Sequence, residues 1–476
     1  MFNPFRALLW QTPDGRGFCA ASSPLREFSA EAGGLDGRDP LALPPVRLHY
    51  EDRYRRPAGF CHAGQLTDLG RQRMWALGQR LRRLYVDRLR FLPPRYHPET
   101  VSVLSTEIPR AVESAQALVG GLFYGGPDST PHSVLHGPPV HIVVREERSE
   151  FLYPNIRQCP RLAALMADFR KAATDGHKAE LARLHEELRP HLLSAPELGG
   201  RAATAADMYD ALASARAHGV KLPPEVTPDL FRRVEQLAVH YWWTPYAQQK
   251  EAVRLGAGRV VNTLVNAMEV HVRHDRGEAP LPPAPAAPPP PAQRQLTAVD
   301  PDGGLAYAAG PGISLNLALP VVPPAPAQRL TVYSAHDSTV APLLIALGAY
   351  DGQWPDFGSH VTLELLEVVG QPDTGRAKAS SVGPPRHVVR LLYNHQPVAM
   401  AQCAAAAAAA GLDATLCPYE QFRKIAAEYI PTDMRRECRL PPAPAAAASR
   451  AGGAPVTNSV ATRPAQAPAT APRAVA

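Results

Sequence analysis

The residues best suited to chemistry in this chain are His336 and Asp337, within Tyr333-Ser334-Ala335-His336-Asp337-Ser338-Thr339. An imidazole can bind or protonate phosphate oxygens, and a neighbouring carboxylic acid can protonate a departing alkoxide. Leu330-Thr331-Val332-Tyr333 before the pair is an alternating, β-prone run, and Val340–Leu347 after it is an apolar run closed by Gly348. The pair therefore falls between a strand end and a helix start. That is where α/β sheets bind ligands, with helix N–H groups turned toward an anion. A lone His-Asp dipeptide is more often an N-cap aspartate beside a structural histidine, so the rest of the chain has to decide.

The elements that would position the pair can be read on both sides of it. Thr67 is a suitable N-cap for a helix carrying Leu66, Met74, Leu77, Leu81 and Leu84 at helical spacing, with Arg71, Arg73, Arg80, Arg82 and Arg83 on a solvated face. Residues 100–104 read as a strand and Glu107 to Leu122 as the helix that follows it. Residues 158–272 read as almost wholly helical, in segments Leu162–Arg170, Lys178–Leu193, Ala205–Ala217, Pro228–Ala238 and Glu251–Val270, with Trp242 and Trp243 as packing residues. Val361–Leu365 and Val388–Tyr393 alternate as an antiparallel pair. Strands and helices on both sides of a helical block give an α/β sandwich with an inserted helical cap.

Composition sets bounds. With 476 residues, 45% of them hydrophobic, the chain has ample material for a core, and a net charge of +6 favours anionic partners only mildly. No Lys/Arg block marks a nucleic-acid tract, and no run of eighteen apolar residues marks a membrane span. The 52 prolines concentrate in residues 279–293 and again near 320–327, an extended insertion, while 441–476 form a low-complexity tail that reads as disordered. The run Ala404–Ala410 reads as a short helix or as loop filler, with filler preferred. Cys19, Cys61, Cys159, Cys403, Cys417 and Cys438 lie too far apart for a zinc ribbon or a redox pair, and leave room for a disulfide or two in the C-terminal part. The first thirty residues lack a secretory layout; Asp14 and Glu27 interrupt an arginine-bearing, transit-like composition.

Taken together, several motifs in order resemble the histidine acid phosphatases, branch 2 of the histidine phosphatase superfamily. They are Gly64-Gln65-Leu66-Thr67-Asp68-Leu69-Gly70, then Ala76–Arg82, then Ser105-Thr106 with Arg110, Glu113 and Ser114, then Ser334–Thr339, and Trp354-Pro355-Asp356-Phe357. Met74–Gly78, Leu152-Tyr153-Pro154-Asn155 with Cys159, and Cys417-Pro418 with Phe422 and Cys438 resemble the members that act on lysophosphatidate. The likeness covers about residues 60–275 and 329–440. It implies a three-layer α/β/α sandwich divided into an irregular segment 1–60, core 61–157, helical cap 158–275, insertion 276–328, core 329–440 and tail 441–476. It also implies a phosphomonoester or lysophospholipid substrate, no cofactor or metal, no nucleic-acid partner, and a mitochondrial location. In such enzymes the histidine of an Arg-His-Gly-x-Arg motif attacks phosphorus and a phosphohistidine forms, which water then hydrolyses. By resemblance, His336 contacts the phosphoryl oxygens and Asp337 is the general acid.

Two departures stand against that pattern. No Arg-His-Gly occurs anywhere in the 476 residues. The nearest stretch, Arg47-Leu48-His49-Tyr50-Glu51-Asp52-Arg53, lacks the glycine and follows Pro44-Pro45, and His62 reads as a loop residue. The expectation is an N-terminally incomplete sequence whose sheet lacks its central first strand, leaving a gap and unpaired backbone groups. The second departure is Leu104, which stands before Ser105-Thr106 where a phosphate-gripping arginine is expected. Arg110, one turn into the next helix, is a weaker candidate for that role. Two functions follow: an acid phosphatase described without its nucleophile, or an inactive pseudophosphatase that binds an anion or a protein.

Overall fold

The computed structural model describes residues 65–125, 140–192, 202–278, 328–369 and 385–441. Arg47, His49, His62, Cys19, Cys61, the Pro/Ala insertion and the tail lie outside the described residues. Residues up to Arg439 belong to one unit and Leu440–Ala476 to another.

Helix α1 (Asp68–Leu81) begins where the sequence places it: the Thr67 hydroxyl accepts from the Gly70 N–H at 3.1 Å. It continues as a π-helical stretch, Arg82–Arg88. Strand β1 (Val101–Ser105) leads into α2 (Pro109–Phe123) and then β2 (Ile142–Val144). The helical region follows: α3 (Pro160–Leu188), α4 (Ala205–Ala217), α5 (Pro228–Trp242), α6 (Thr244–Gln248) and α7 (Lys250–Asp275). Next come β3 (Leu330–Ser334), α8 (Asp337–Ala346), β4 (Val361–Glu367), β5 (His387–Tyr393) and β6 (Gln396–Val398). The remaining elements are α9 (Ala404–Ala409), β7 (Leu416–Pro418), α10 (Tyr419–Ala427) and α11 (Met434–Glu437).

β1 is the centre of a parallel sheet of order β2-β1-β3, in which Leu104 stands opposite Tyr333 on one side and Val143 on the other. Alternation along β1 divides its side chains between two helical layers. Val101 and Val103 pack with Val119, Leu122 and Phe123 of α2, and Leu104 packs with Val260 and Leu264 of α7. That is the three-layer α/β/α arrangement. β4 and β5 form the expected antiparallel pair, Val361 opposite Tyr393, with β6 and β7 completing a second sheet. Among the described residues, nothing pairs with the second edge of β3 or of β4. A cleft of about 2100 Å³ runs along both strands, between α1 and α2 on one side and α7 on the other.

Three sequence expectations are corrected. Leu162–Arg170 and Lys178–Leu193 are not two helices; one helix runs through Gly176, whose surroundings are open. An exposed glycine costs a helix only about 1 kcal/mol, too little to break it. The alanine run is a helix, not filler. Alanine has the highest helix propensity, Ala407 is buried, and the Cys403–Cys417 disulfide ties the start of the helix to β7. The α1 arginines are not simply solvated. Arg71 bonds Asp68 and the buried Glu113, Arg82 donates to the Leu122 carbonyl at 3.1 Å, and Arg73 donates to the Ala217 carbonyl at 3.2 Å. Trp243 is buried, whereas the Arg170 guanidinium lies 5.1 Å over the Trp242 ring at the surface. Among the described residues no helix is long and apolar enough to cross a membrane.

Candidate active site

The three parallel strands end on the same side of the sheet, which brings Ser105-Thr106, Arg145 and Ala335-His336 together. His336 is extended, φ −136° and ψ 168°, and its N–H bonds the Thr339 hydroxyl at 3.3 Å. The same hydroxyl donates to the Leu152 carbonyl. The turn is thereby locked before α8 begins. His336 Nε2 lies 2.9 Å from the hydroxyl of Thr106, which is fully buried, and the ring of Tyr153 is 6.0 Å away. Burial, together with the positive charge of Arg110, holds the His336 imidazole down to about 4, so it is neutral at neutral pH.

Asp337 opens α8 at its positive end, where N–H groups favour an anion. Its Oδ1 accepts from the Ser338 N–H at 2.7 Å and its Oδ2 from the Trp354 indole N–H at 2.9 Å. Those bonds and the charge of Arg110 favour the carboxylate, yet burial outweighs them and the pKa is raised. A carboxyl held by two fixed donors, but reluctant to ionise, suits proton donation to a leaving oxygen. Trp354 is itself fixed by Trp243 at 4.9 Å and Tyr209 at 5.0 Å between ring centres, so the helical region orients the acid.

Arg110 lines the cleft, and its charge reaches both His336 and Asp337. Leu104 lies in an apolar cluster with Phe151, Leu152, Val260 and Tyr333 and neutralises nothing. The guanidiniums of Arg145 and Arg259 lie 4.9 and 5.1 Å over the Phe151 ring, with both pushed down in pKa by burial. Close by, Glu150 holds the Phe151 and Leu152 N–H groups at 2.6 Å each, and Tyr153 donates to Glu107 at 2.9 Å. Sequence reasoning missed three contributors. Thr106 was read only as part of a motif, and the Tyr153–Glu107 bond joins residues 46 positions apart, with the charges of Glu150 and Arg145 nearby. Asp210 on α4 also lines the cleft. The one sequence signal for it was a carboxylate flanked at helical spacing by Ala206, Ala213 and Ala217.

The chain is similar to several known phosphatases. A probable acid phosphatase of Schizosaccharomyces pombe is 26% identical over 80% of this chain and 78% of its own length. Bovine lysophosphatidic acid phosphatase type 6 is 29% identical over 65% of this chain, a match that spans 58% of the bovine protein. Human testicular acid phosphatase is 30% identical over 70% of this chain and 66% of its own length. Among solved structures, Hafnia alvei phytase aligns over 90% of this chain and 96% of its own, with 12% identity and a TM-score of 0.47. The family model of the histidine phosphatase superfamily, branch 2, matches residues 45–394, and the chain belongs to that family.

Proposed function

We propose that this chain carries the acid half of a phosphomonoester hydrolase of the histidine acid phosphatase type, with lysophosphatidate or a similar lysophospholipid as substrate. The observation that carries the reading is Asp337, half-buried at a helix N-terminus between two donors and next to a neutral, hydroxyl-anchored His336. His336 hydrogen-bonds a phosphoryl oxygen, and Arg110 adds positive charge from the cleft wall. In the family's reaction the motif histidine forms a bond to phosphorus as the P–O bond to the leaving alcohol breaks, and the Asp337 carboxyl gives its proton to that oxygen. The resulting carboxylate then takes a proton from the water that attacks the phosphoenzyme. No Arg-His-Gly-x-Arg occurs in the 476 residues to supply that histidine.

The test is an assay of the full chain against lysophosphatidate and an aryl phosphate from acidic to neutral pH. Turnover should fall at least a hundred-fold in Asp337→Ala. Because the Asp337 pKa is raised, the protonated form and the activity persist to higher pH than for a free aspartic acid, and decline as pH rises through that pKa. Wild-type turnover that is unchanged in Asp337→Ala would remove the reading. Leu104 favours a second reading, a pseudophosphatase that binds an anion without turnover. Phosphate binding that His336→Ala abolishes, in a chain with no turnover, would select it. As for location, the relatives include bovine lysosomal acid phosphatase, 26% identical over 86% of this chain and 79% of its own length.

A further inference from the structure

Helix α4 brings one carboxylate, Asp210, to the cleft that Asp337 also lines, within reach of the charge of Asp337. Its inner face, Met208, Leu212 and Ala215, packs with Leu230, Val234 and Leu237 of α5. Its other face borders the cleft with Ala206, Asp210, Ala213, Ser214 and Ala217. Alanines one turn before and one turn after Asp210 leave room in front of its carboxyl. Tyr209, its neighbour, stacks at 5.0 Å on Trp354, whose indole bonds Asp337, so α4 is held against the acid through a direct chain of contacts.

We propose that Asp210 is a specificity-determining residue that hydrogen-bonds a free hydroxyl of the leaving alcohol, next to the oxygen that Asp337 protonates. The ligand class is the monophosphate of a polyol with a hydroxyl vicinal to the ester. Lysophosphatidate acylated at its terminal carbon retains one such hydroxyl, and a diacyl glycerophosphate has none. The inference rests on the phosphatase reading and narrows it. Burial and the charge of Asp337, followed by Asp207, push the Asp210 carboxyl up to about 7, while Arg110 opposes them. Near neutral pH it therefore both donates to and accepts from a hydroxyl. A site built to bond a hydroxyl discriminates against the analogue that lacks it, because its own polar group is then left unpaired.

Binding is measured with non-hydrolysable ligands, so turnover is not required: 3,4-dihydroxybutylphosphonate, butylphosphonate and inorganic phosphate, titrated calorimetrically into the full chain at pH 6. Wild type should prefer the dihydroxy ligand over butylphosphonate by roughly ten- to a hundred-fold. Asp210→Ala should erase that preference without weakening inorganic phosphate, and Asp210→Asn, which keeps a donor and an acceptor, should retain much of it. A preference that survives in Asp210→Ala overturns the proposal, as does a wild type that binds phosphate with no preference. If none of the three ligands binds wild type, or His336→Ala leaves phosphate affinity intact, the phosphatase reading fails and this one with it.

Discussion

At the scale of single residues, the site is set by burial working against hydrogen bonding. Asp337 has two donors that favour its charge, and desolvation still prevails, so it keeps its proton to higher pH than a free aspartic acid does. This makes Trp354 a tuning residue. Trp354→Phe removes the indole donor while keeping most of the aromatic stack on Trp243 and Tyr209. A hydrogen bond to a charged group is worth about 1.5–3 kcal/mol, and one pKa unit is about 1.4 kcal/mol, so the Asp337 pKa should rise by about one unit or more. The check is an NMR titration of the Asp337 carboxyl; an unchanged or lowered pKa would show that the indole does not stabilise the carboxylate. His336–Asp337 was legible in the sequence because it is a local dipeptide at a strand–helix junction. The Thr106–His336 and Trp354–Asp337 bonds were not, since they join residues 230 and 17 positions apart.

At the scale of elements, the wall of the cleft depends on how closely two helices meet. α1 and α2 cross at Gly78 and Gly121, where an added Cβ would come 2.0 Å from the Leu118 carbonyl and 2.1 Å from the Trp75 carbonyl. The obstacle is backbone, which cannot turn aside, so Gly121→Ala forces the helices apart. Overpacking of this kind costs about 1–3 kcal/mol or more. The expected outcome is a clear loss in denaturant midpoint together with weaker phosphate binding, because Arg110 and Ser114 ride on α2. A midpoint equal to wild type would mean that the crossing has slack. Boundaries such as Thr67, Ala205–Ala217 and the β4–β5 pairing were legible because caps and period-two alternation are local signals. The unbroken α3 and the α9 helix were not, because a glycine within a helical pattern and a short alanine run carry no local signal for whether the helix continues.

At the scale of the molecule, chain segments far apart in sequence are stapled. Cys159 at the start of α3 is bonded to Cys438, 279 residues away, and Cys403 to Cys417, 14 residues away. In the chain-entropy model a loop of about 15 residues contributes about 3 kcal/mol and a longer one more. Cys159→Ser/Cys438→Ser should therefore lower the melting temperature more than Cys403→Ser/Cys417→Ser; the reverse order would show that the long bridge constrains little. Two buried disulfides also favour folding in an oxidising compartment.

The sequence by itself determined the family, the alternation of strands and helices, the His336-Asp337 pair and two departures from the family pattern: no Arg-His-Gly, and leucine at 104. Those are properties of residue type and short spacing, which a linear chain displays in full. Only the tertiary structure decided that Leu104 is absorbed in an apolar cluster, that Arg110 faces the cleft, and that Asp210 stands near Asp337. It likewise decided which cysteines pair, and that a cleft runs between β3 and β4. Each of these depends on long-range packing, where burial and the meeting of distant side chains set charge, space and partner, and no local pattern encodes that meeting.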